Sequence, residues 1–125
     1  MNHVYYYQMR VRFADKKLEQ LYLEDKGSEQ YPEQVVNAFL RAIQFFMSID
    51  NETQLYQLKG LHVEKLSGKR KGQYSLRLNK QFRLVYRLEK VVEEVVTKET
   101  KERTDKKQAI NTVTVVVVLE LVDYH

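Results

Sequence analysis

The apolar residues near both ends of the chain follow strand periodicity. From Tyr5 to Phe13 they alternate with polar residues, among them Arg10 and Arg12, which predicts a half-buried β-strand. The last apolar segment, Thr112 to Val122, is a nearly continuous run of β-branched residues. Such a run predicts a strand that is buried on both faces and lies centrally in a sheet.

The segment after the first strand has the 3.6-residue periodicity of helices. Leu18, Leu21 and Tyr22 share one face of a first helix, and Asp15 is placed to cap its N-terminus. Pro32 suits the first turn of a second helix, whose apolar stripe consists of Val35, Val36, Phe39, Leu40, Ile43, Phe46 and Met47. The two helices predict a hairpin that covers one face of a sheet.

Three strand-like segments follow a polar stretch: His62 to Leu66, Gln73 to Leu78 and Phe82 to Leu88. Residues 89–111 then contain 12 charged side chains among 23. They predict an inserted arm, either an extended hairpin or a short helix, that is mobile towards its tip from Lys98 to Lys107. The order β-α-α-β-β-β-arm-β predicts an α+β fold, with the helical hairpin packed on one face of a mainly antiparallel, twisted sheet.

The loop between the last two of these strands decides which side chains share a face. A two-residue loop would place Leu78 opposite Gln81, whereas a three-residue loop from Asn79 to Gln81 pairs Leu78 with Phe82. We expect the three-residue loop, because it keeps the apolar side chains of both strands together.

The same register predicts that Arg77 and Arg83 lie directly opposite each other on the face away from the core. Like charges in that position are unfavourable in a sheet, so an anion between them would compensate the repulsion. Two solvated surface arginines are an equally good interpretation at this point.

Length and composition narrow the class of protein. A chain of 125 residues predicts a single domain, 1–125, and the absence of cysteine excludes disulfides and thiol nucleophiles. The three histidines are far apart and lack metal-ligand spacing, so we expect neither a metal site nor a cofactor. No apolar stretch resembles a signal peptide or a membrane span, which favours a soluble cytoplasmic protein. The net charge of +4 suggests a polyanionic partner.

Two motifs carry a family resemblance. The segment LSGKRKGQYSLRLNKQFRLVYR, Leu66 to Arg87, together with the terminal Val122-Asp123-Tyr124-His125, resembles the HigB branch of the RelE/ParE toxin superfamily. The resemblance implies a RelE-like fold and a toxin that enters the ribosomal A site and cuts mRNA. It further implies neutralisation by a HigA-like helix-turn-helix antitoxin, and leaves both a homodimer and a toxin–antitoxin hetero-oligomer open.

The resemblance also implies the chemistry of the site. In metal-free cleavage the ribose 2′-OH attacks its own phosphate, which requires a base, an acid and cations for the developing charge. By position in the motifs, Arg83 would contact the scissile phosphate and His125 would act as general base or acid. Asp123 would orient the imidazole, and Tyr124 would stack or donate a hydrogen bond.

The basic residues around the first motif are expected to bind RNA; they are Lys65, Lys69, Arg70, Lys71, Arg77 and Arg87. Members of the family usually have lysine where this chain has Ser67, and Lys65 or Lys69 could supply the missing charge. The arm is a second departure, since relatives generally make a short turn there. We expect the last strand to lie beside Phe82 to Leu88 and to bring Asp123 or His125 to the face of Arg77, Arg83 and Arg87.

Three functions are therefore open. The first is a ribosome-dependent mRNA endonuclease, and the second is a ParE-like toxin that poisons DNA gyrase without cleaving RNA. The third is an RNA-binding or regulatory domain that has lost catalysis, which the serine at position 67 makes plausible. The terminal Asp-Tyr-His motif favours the first over the second.

Overall fold

The computed structural model describes residues 3–96 and 108–124. The regular elements are β1 (His3–Phe13), α1 (Lys16–Glu24), α2 (Glu33–Ser48), β2 (Glu64–Lys65), β3 (Gln73–Arg77), β4 (Phe82–Val96) and β5 (Gln108–Asp123). Short 3₁₀ helices cover Ser28–Gln30, Glu52–Gln57, Lys59–Leu61 and Gly68–Arg70. The strands form one sheet in the order β1-β5-β4-β3-β2, in which β1 and β5 are parallel and the other pairs are antiparallel. This is the predicted α+β architecture.

Both helices begin where the sequence predicts. The side chain of Asp15 accepts a hydrogen bond from the backbone N–H of Lys17 at 2.8 Å, and so caps α1. Pro32 directly precedes α2, where its missing N–H costs nothing. Asp25, with φ of 55°, ends α1 in the left-handed conformation that aspartate tolerates better than most residues.

The hydrophobic core lies between the helices and one face of the sheet. Phe39, Ile43 and Phe46 of α2 are fully buried against the sheet residues Leu76, Leu84, Tyr86, Val116 and Val118. The rings of Phe46 and Tyr86 meet edge to face with centroids 5.1 Å apart. These contacts hold α2 against β3, β4 and β5 on one side of the sheet.

The β3–β4 hairpin has the register that the three-residue loop predicts, with Leu78 opposite Phe82 just beyond the end of β3. Tyr74 pairs with Tyr86 and Arg77 with Arg83, and the Leu78 N–H donates to the Phe82 carbonyl at 2.9 Å. The side chain of Asn79 accepts from the backbone N–H groups of Gln81 and Phe82, at 2.9 and 2.6 Å. Asn79 thereby closes the turn with a side-chain acceptor, as asparagine often does.

β5 is buried on both faces, as predicted. Val116 and Val118 belong to the core beneath the helices, while Val113 and Val117 are buried on the opposite side of the sheet. That second side carries Ser75, Arg83, Val85, Arg87 and Val117, and we call it the open face.

A β-bulge interrupts the pairing of β4 with β5. Val85 pairs with Glu120 but Tyr86 pairs with Val118, so Leu119 is an extra residue in β5. A bulge reverses the facing of every residue that follows it. The last residues of β5 therefore lie on the opposite faces from those that strict alternation predicts.

The inserted arm is an extended hairpin over the part that the structure describes. β4 and β5 remain paired from the sheet out to Val96, which lies opposite Gln108. The extended interpretation is thus confirmed for these residues and the helical one is wrong there. The predicted mobile tip, Lys98 to Lys107, lies outside the described residues. At the foot of the arm, Lys90 and Glu52 form an ion pair at 2.6 Å that ties β4 to a 3₁₀ helix.

None of the helices within residues 3–96 and 108–124 has the length and apolar composition that crossing a bilayer requires.

Two leucines test where the core lies. Leu76 is fully buried and Leu23 is 67% exposed. Leu76→Ala should lower the free energy of unfolding by about 2–5 kcal/mol, because it leaves a cavity against α2. Leu23→Ala is the matched control and should change it by less than about 0.5 kcal/mol. Urea denaturation measures both, and equal effects would contradict this core.

Candidate nucleic-acid interface

Arg83 is fixed on the open face by oxygen atoms of two neighbouring segments. Its Nε donates to Ser75 Oγ at 2.8 Å, and its Nη2 donates to the carbonyl oxygen of His62. Glu64 Oε2 lies 3.9 Å from the same Nη2, and only 11% of the Arg83 side chain is exposed. These contacts use Nε and Nη2, so the guanidinium edge that bears Nη1 takes no part in them. Arg83 is therefore a positioned cation rather than a solvated one.

The predicted pairing of Arg77 with Arg83 is present, and oxygen atoms of the protein lie next to the charge of Arg83. The guanidinium of Arg83 turns towards Ser75 and Glu64, whereas Arg77 is exposed to solvent. The neighbouring carboxylate and the hydroxyl thus offset the repulsion within the protein itself.

Two further arginines of the predicted RNA-binding set lie on the open face. Arg70 Nη1 donates to Gln73 Oε1 at 3.0 Å, and its Nη2 contacts Glu120. Arg87 Nη1 contacts Glu89, and its cross-strand partner on β3 is Gln73. Arg70, Arg77 and Arg87 therefore share the face of Arg83.

The carboxylate of Glu89 also contacts a residue of the first strand. Its Oε1 accepts from Arg12 Nη2 at 3.0 Å, in addition to the bond from Arg87. These two hydrogen bonds lower the pKa of Glu89 below its usual value, and the bond from Arg87 has the larger effect. The glutamate therefore remains ionised and holds two guanidinium groups together.

The lysines of the predicted set lie elsewhere. Lys65 pairs with Tyr74, whose ring stacks on Tyr86 of the core, so Lys65 lies on the helix side of the sheet. β2 ends at Lys65, so the strand does not continue to Ser67. The suggestion that Lys65 replaces the charge expected at Ser67 is therefore wrong. Lys69 and Lys71 are exposed in or directly after the 3₁₀ helix Gly68–Arg70.

The end of the chain is placed partly as expected. β5 lies beside β4, but Asp123 pairs with Phe82 and is on the helix side, opposite in facing to Arg83. Asp123 therefore does not share the face of the arginines, because of the bulge at Leu119, and the expectation that Asp123 or His125 lies there now depends on His125. His125 lies outside the described residues.

Gln81 anchors the C-terminal segment to the β3–β4 loop. Its Nε2 donates to Asp123 Oδ2 at 3.0 Å, and its carbonyl accepts from the Tyr124 N–H at 2.7 Å. The second bond continues the β4–β5 ladder by one residue, and alternation then places Tyr124 on the side of Arg83. Tyr124 is 48% exposed, which suits contact with a ligand.

The sequence predicts His62 as the first residue of a strand and does not reveal its contact with Arg83. It adopts the left-handed conformation with φ of 46°, ends the 3₁₀ helix Lys59–Leu61, and presents its carbonyl to Arg83. A backbone carbonyl that receives a distant arginine has no sequence signal.

Comparison with known proteins assigns the family. Residues 11–99 match the model of the HigB-like toxins, described as the RelE-like toxin of the type II toxin–antitoxin system HigB. Toxin HigB-1 of Vibrio cholerae is 37% identical over 78 residues, which is 62% of this chain and 82% of that protein. A solved YoeB/ParE toxin from Agrobacterium tumefaciens superposes over 94% of this chain and 100% of its own, with 12% identity and a TM-score of 0.48.

The family match covers the last three residues of β1, both helices and the whole Arg83 region, while Asp123 and Tyr124 lie beyond it. It extends over more than half of the chain, and the match to the Vibrio cholerae toxin agrees with it. The chain therefore belongs to the HigB-like toxins, which are RelE-like toxins of type II toxin–antitoxin systems.

Proposed function

We propose that this toxin is a ribosome-dependent mRNA endonuclease that cleaves without a metal. The observation that carries the proposal is Arg83, held on an arginine-rich face by Ser75 and His62 with one edge of its guanidinium outside those contacts. Membership of the HigB-like toxins supports the same activity. A fixed cation is more effective than a mobile one because it needs no reorganisation when charge develops.

The proposed reaction is an internal transesterification. A base removes the proton of the ribose 2′-OH, the 2′-oxygen attacks the phosphorus, and the bond from phosphorus to the 5′-oxygen breaks. An acid protonates that leaving oxygen, which gives a cyclic phosphate and a 5′-OH. Arg83 stabilises the added negative charge on the phosphorane through Nη1, and His125 transfers a proton as base or acid.

The remaining residues of the terminal motif support this arrangement. Because Arg83 pairs with Val122, the end of β5 runs past Arg83, and the bonds from Gln81 hold that end in place. Asp123 acts as a positioning residue through Gln81, and Tyr124 contacts the RNA from the side of Arg83. Arg70, Arg77 and Arg87 bind the RNA backbone, while Lys69 and Lys71 extend the positive charge from the adjacent turn.

The proposed activity also implies an antitoxin and the ribosome as partners. The family implies an antitoxin, and we propose that it is a HigA-like helix-turn-helix protein, and that the target is mRNA on the ribosome. The extended arm adds a contact to the ribosome or to the antitoxin. We expect no membrane partner. A toxin that acts on ribosomes would work in the cytoplasm.

An RNA-binding domain without catalysis is the second candidate, and one observation favours it. Lys65 lies on the helix side of the sheet, so it does not replace the cation that relatives have at the position of Ser67. In that case the open face would bind RNA and leave it intact. A toxin that poisons gyrase would instead block replication and also leave mRNA intact.

The assigned roles of Arg83 and His125 are tested by primer extension on translated mRNA after brief expression. Wild type should produce discrete cuts within translated codons. Arg83→Ala and His125→Gln should each reduce cutting by a factor on the order of 10² or more, because each removes charge stabilisation or proton transfer. Arg41→Ala, an exposed arginine of α2, is the matched control and should cut normally. Unchanged cutting by His125→Gln would remove its role, and intact mRNA with wild type would refute the nuclease.

Restoring the family's cation is a gain-of-function test. Ser67 is exposed and its side chain makes no capping bond to the 3₁₀ helix that follows, so lysine fits there without loss of a contact. Ser67→Lys should increase the rate of cutting on the order of tenfold, since it adds a donor for the phosphate. Ser67→Gln is the neutral control of similar length. Equal rates for wild type and both variants would contradict a need for a cation at this position.

Ser75 should act through Arg83. Ser75→Ala removes the oxygen that accepts from Arg83 Nε, and should slow cutting by less than Arg83→Ala does. In the Arg83→Ala background the same substitution should have no further effect, because the residues act as a unit. Melting temperatures, measured in parallel, separate this loss from unfolding. Additive losses in the double variant would contradict the positioning role.

A further inference from the structure

A second group of cations lies on the open face, away from Arg83. Arg12 of β1 and Arg87 of β4 both contact Oε1 of Glu89, the former at 3.0 Å. The side chains are 53, 39 and 38% exposed, so they reach solvent although they are paired. Arg12 belongs to neither of the motifs that carry the family resemblance.

The backbone places these two arginines symmetrically. Val117 of β5 is the direct neighbour of Arg12 on one side and of Arg87 on the other. Two strand spacings therefore separate the arginine backbones, about 10 Å. Val117 is fully buried, and the guanidinium groups of the two arginines beside it converge on Glu89.

The local charge is positive despite the glutamate. One carboxylate faces two guanidinium groups, so the cluster keeps a net charge of +1. Each guanidinium has five N–H donors and gives Glu89 only part of them. Arg70 lies next to this cluster, because it donates a hydrogen bond to Gln73, the cross-strand partner of Arg87. Glu89 thus holds two cations in a geometry that leaves donors for another anion.

The rest of the open face also carries more positive than negative side chains. Among the side chains that the structure describes there, six arginines oppose three glutamates: Arg10, Arg12, Arg70, Arg77, Arg83 and Arg87 against Glu64, Glu89 and Glu120. Between Arg83 and Arg87 the floor is Val85, which is fully buried. Cations at separate points above an apolar floor suit a chain of repeating phosphates better than the single carboxylates of a folded partner.

We propose that Arg12 and Arg87, held together by Glu89, bind one phosphate of the RNA strand about 13 Å along β4 from Arg83. The strand then runs along the open face from Arg83 towards β1 and the foot of the arm. The proposal rests on the RNA target of the proposed function and adds to it a direction for the bound strand. It also gives Glu89 a positioning role.

The test is RNA binding without cleavage. The probe is a fluorescent single-stranded oligoribonucleotide with 2′-O-methyl groups, which lacks the attacking hydroxyl, and anisotropy gives its Kd over a series of salt concentrations. Arg12→Gln should weaken binding severalfold at low salt and reduce the slope of log K against log salt by about 0.7, the value for one phosphate contact on a single strand. Arg41→Gln removes the same charge from the helix side and should leave the slope unchanged. Arg12→Lys should retain it.

The double variant tests whether the two arginines share a phosphate. In the double variant Arg12→Gln/Arg87→Gln, the slope of log K against log salt should fall by about 0.7, as in either single variant. If the two arginines bound separate phosphates, it would fall by about 1.4. The larger loss of about 1.4 would overturn the proposal. Equal slopes for Arg12→Gln and Arg41→Gln would also overturn it, as would a wild type that does not bind the probe. So would unchanged RNA binding with weakened antitoxin binding, which would assign the cluster to a protein partner.

Cleavage on ribosomes separates this proposal from the proposed function. Wild type that cuts mRNA while Arg12→Gln binds the probe normally would refute the second phosphate site alone. Wild type that leaves mRNA intact, with the predicted loss of slope in Arg12→Gln, would refute the nuclease and keep the binding site.

Discussion

The pairing of β4 with β5 is the interaction on which the arrangement of this toxin depends. It joins the parallel pair β1 and β5 to the antiparallel strands β4, β3 and β2, and it forms the described part of the arm. Its register also decides which side chains stand beside Arg83. Because Leu119 is an extra residue in β5, the end of the chain turns its acidic residue towards the helix side.

The open face shows how a small sheet can present many cations and still fold. Arg83 is compensated by Glu64 and Ser75, Arg70 by Glu120, and Arg12 and Arg87 by Glu89. Surface ion pairs of this kind contribute little to stability, since solvent screens them. Their effect is on position, because a paired guanidinium occupies fewer conformations than a free one and then loses less entropy on binding.

Most of the buried apolar side chains lie on the other side of the sheet. The helix-side core packs Phe39, Ile43 and Phe46 on Leu84 and Tyr86, and requires nothing from the arginines. This division separates the charges of the open face from the core on the helix side. It also explains why family membership, which the core and the basic segment carry, assigns a toxin without identifying each residue of the reaction.

Much of the fold was predictable from local patterns. Periodicity identified both helices and the order of the strands, although β2 is only Glu64–Lys65 where His62 to Leu66 was expected. The requirement that apolar residues share a face selected the three-residue loop at Asn79. The same argument placed Arg77 opposite Arg83. These features depend on neighbours in sequence or on one hairpin, so residue types and spacing determine them.

The facing of the C-terminus and the partners of the arginines were not predictable in this way. No glycine marks the bulge at Leu119, and its position depends on how two distant strands fit together. The contacts of Arg83 with His62 and of Arg12 with Glu89 join residues 21 and 77 positions apart. The sequence by itself determined the elements, the family and the presence of a basic surface. Only the tertiary structure decided which charges meet, because cross-strand register and side-chain direction depend on the packing of the whole sheet.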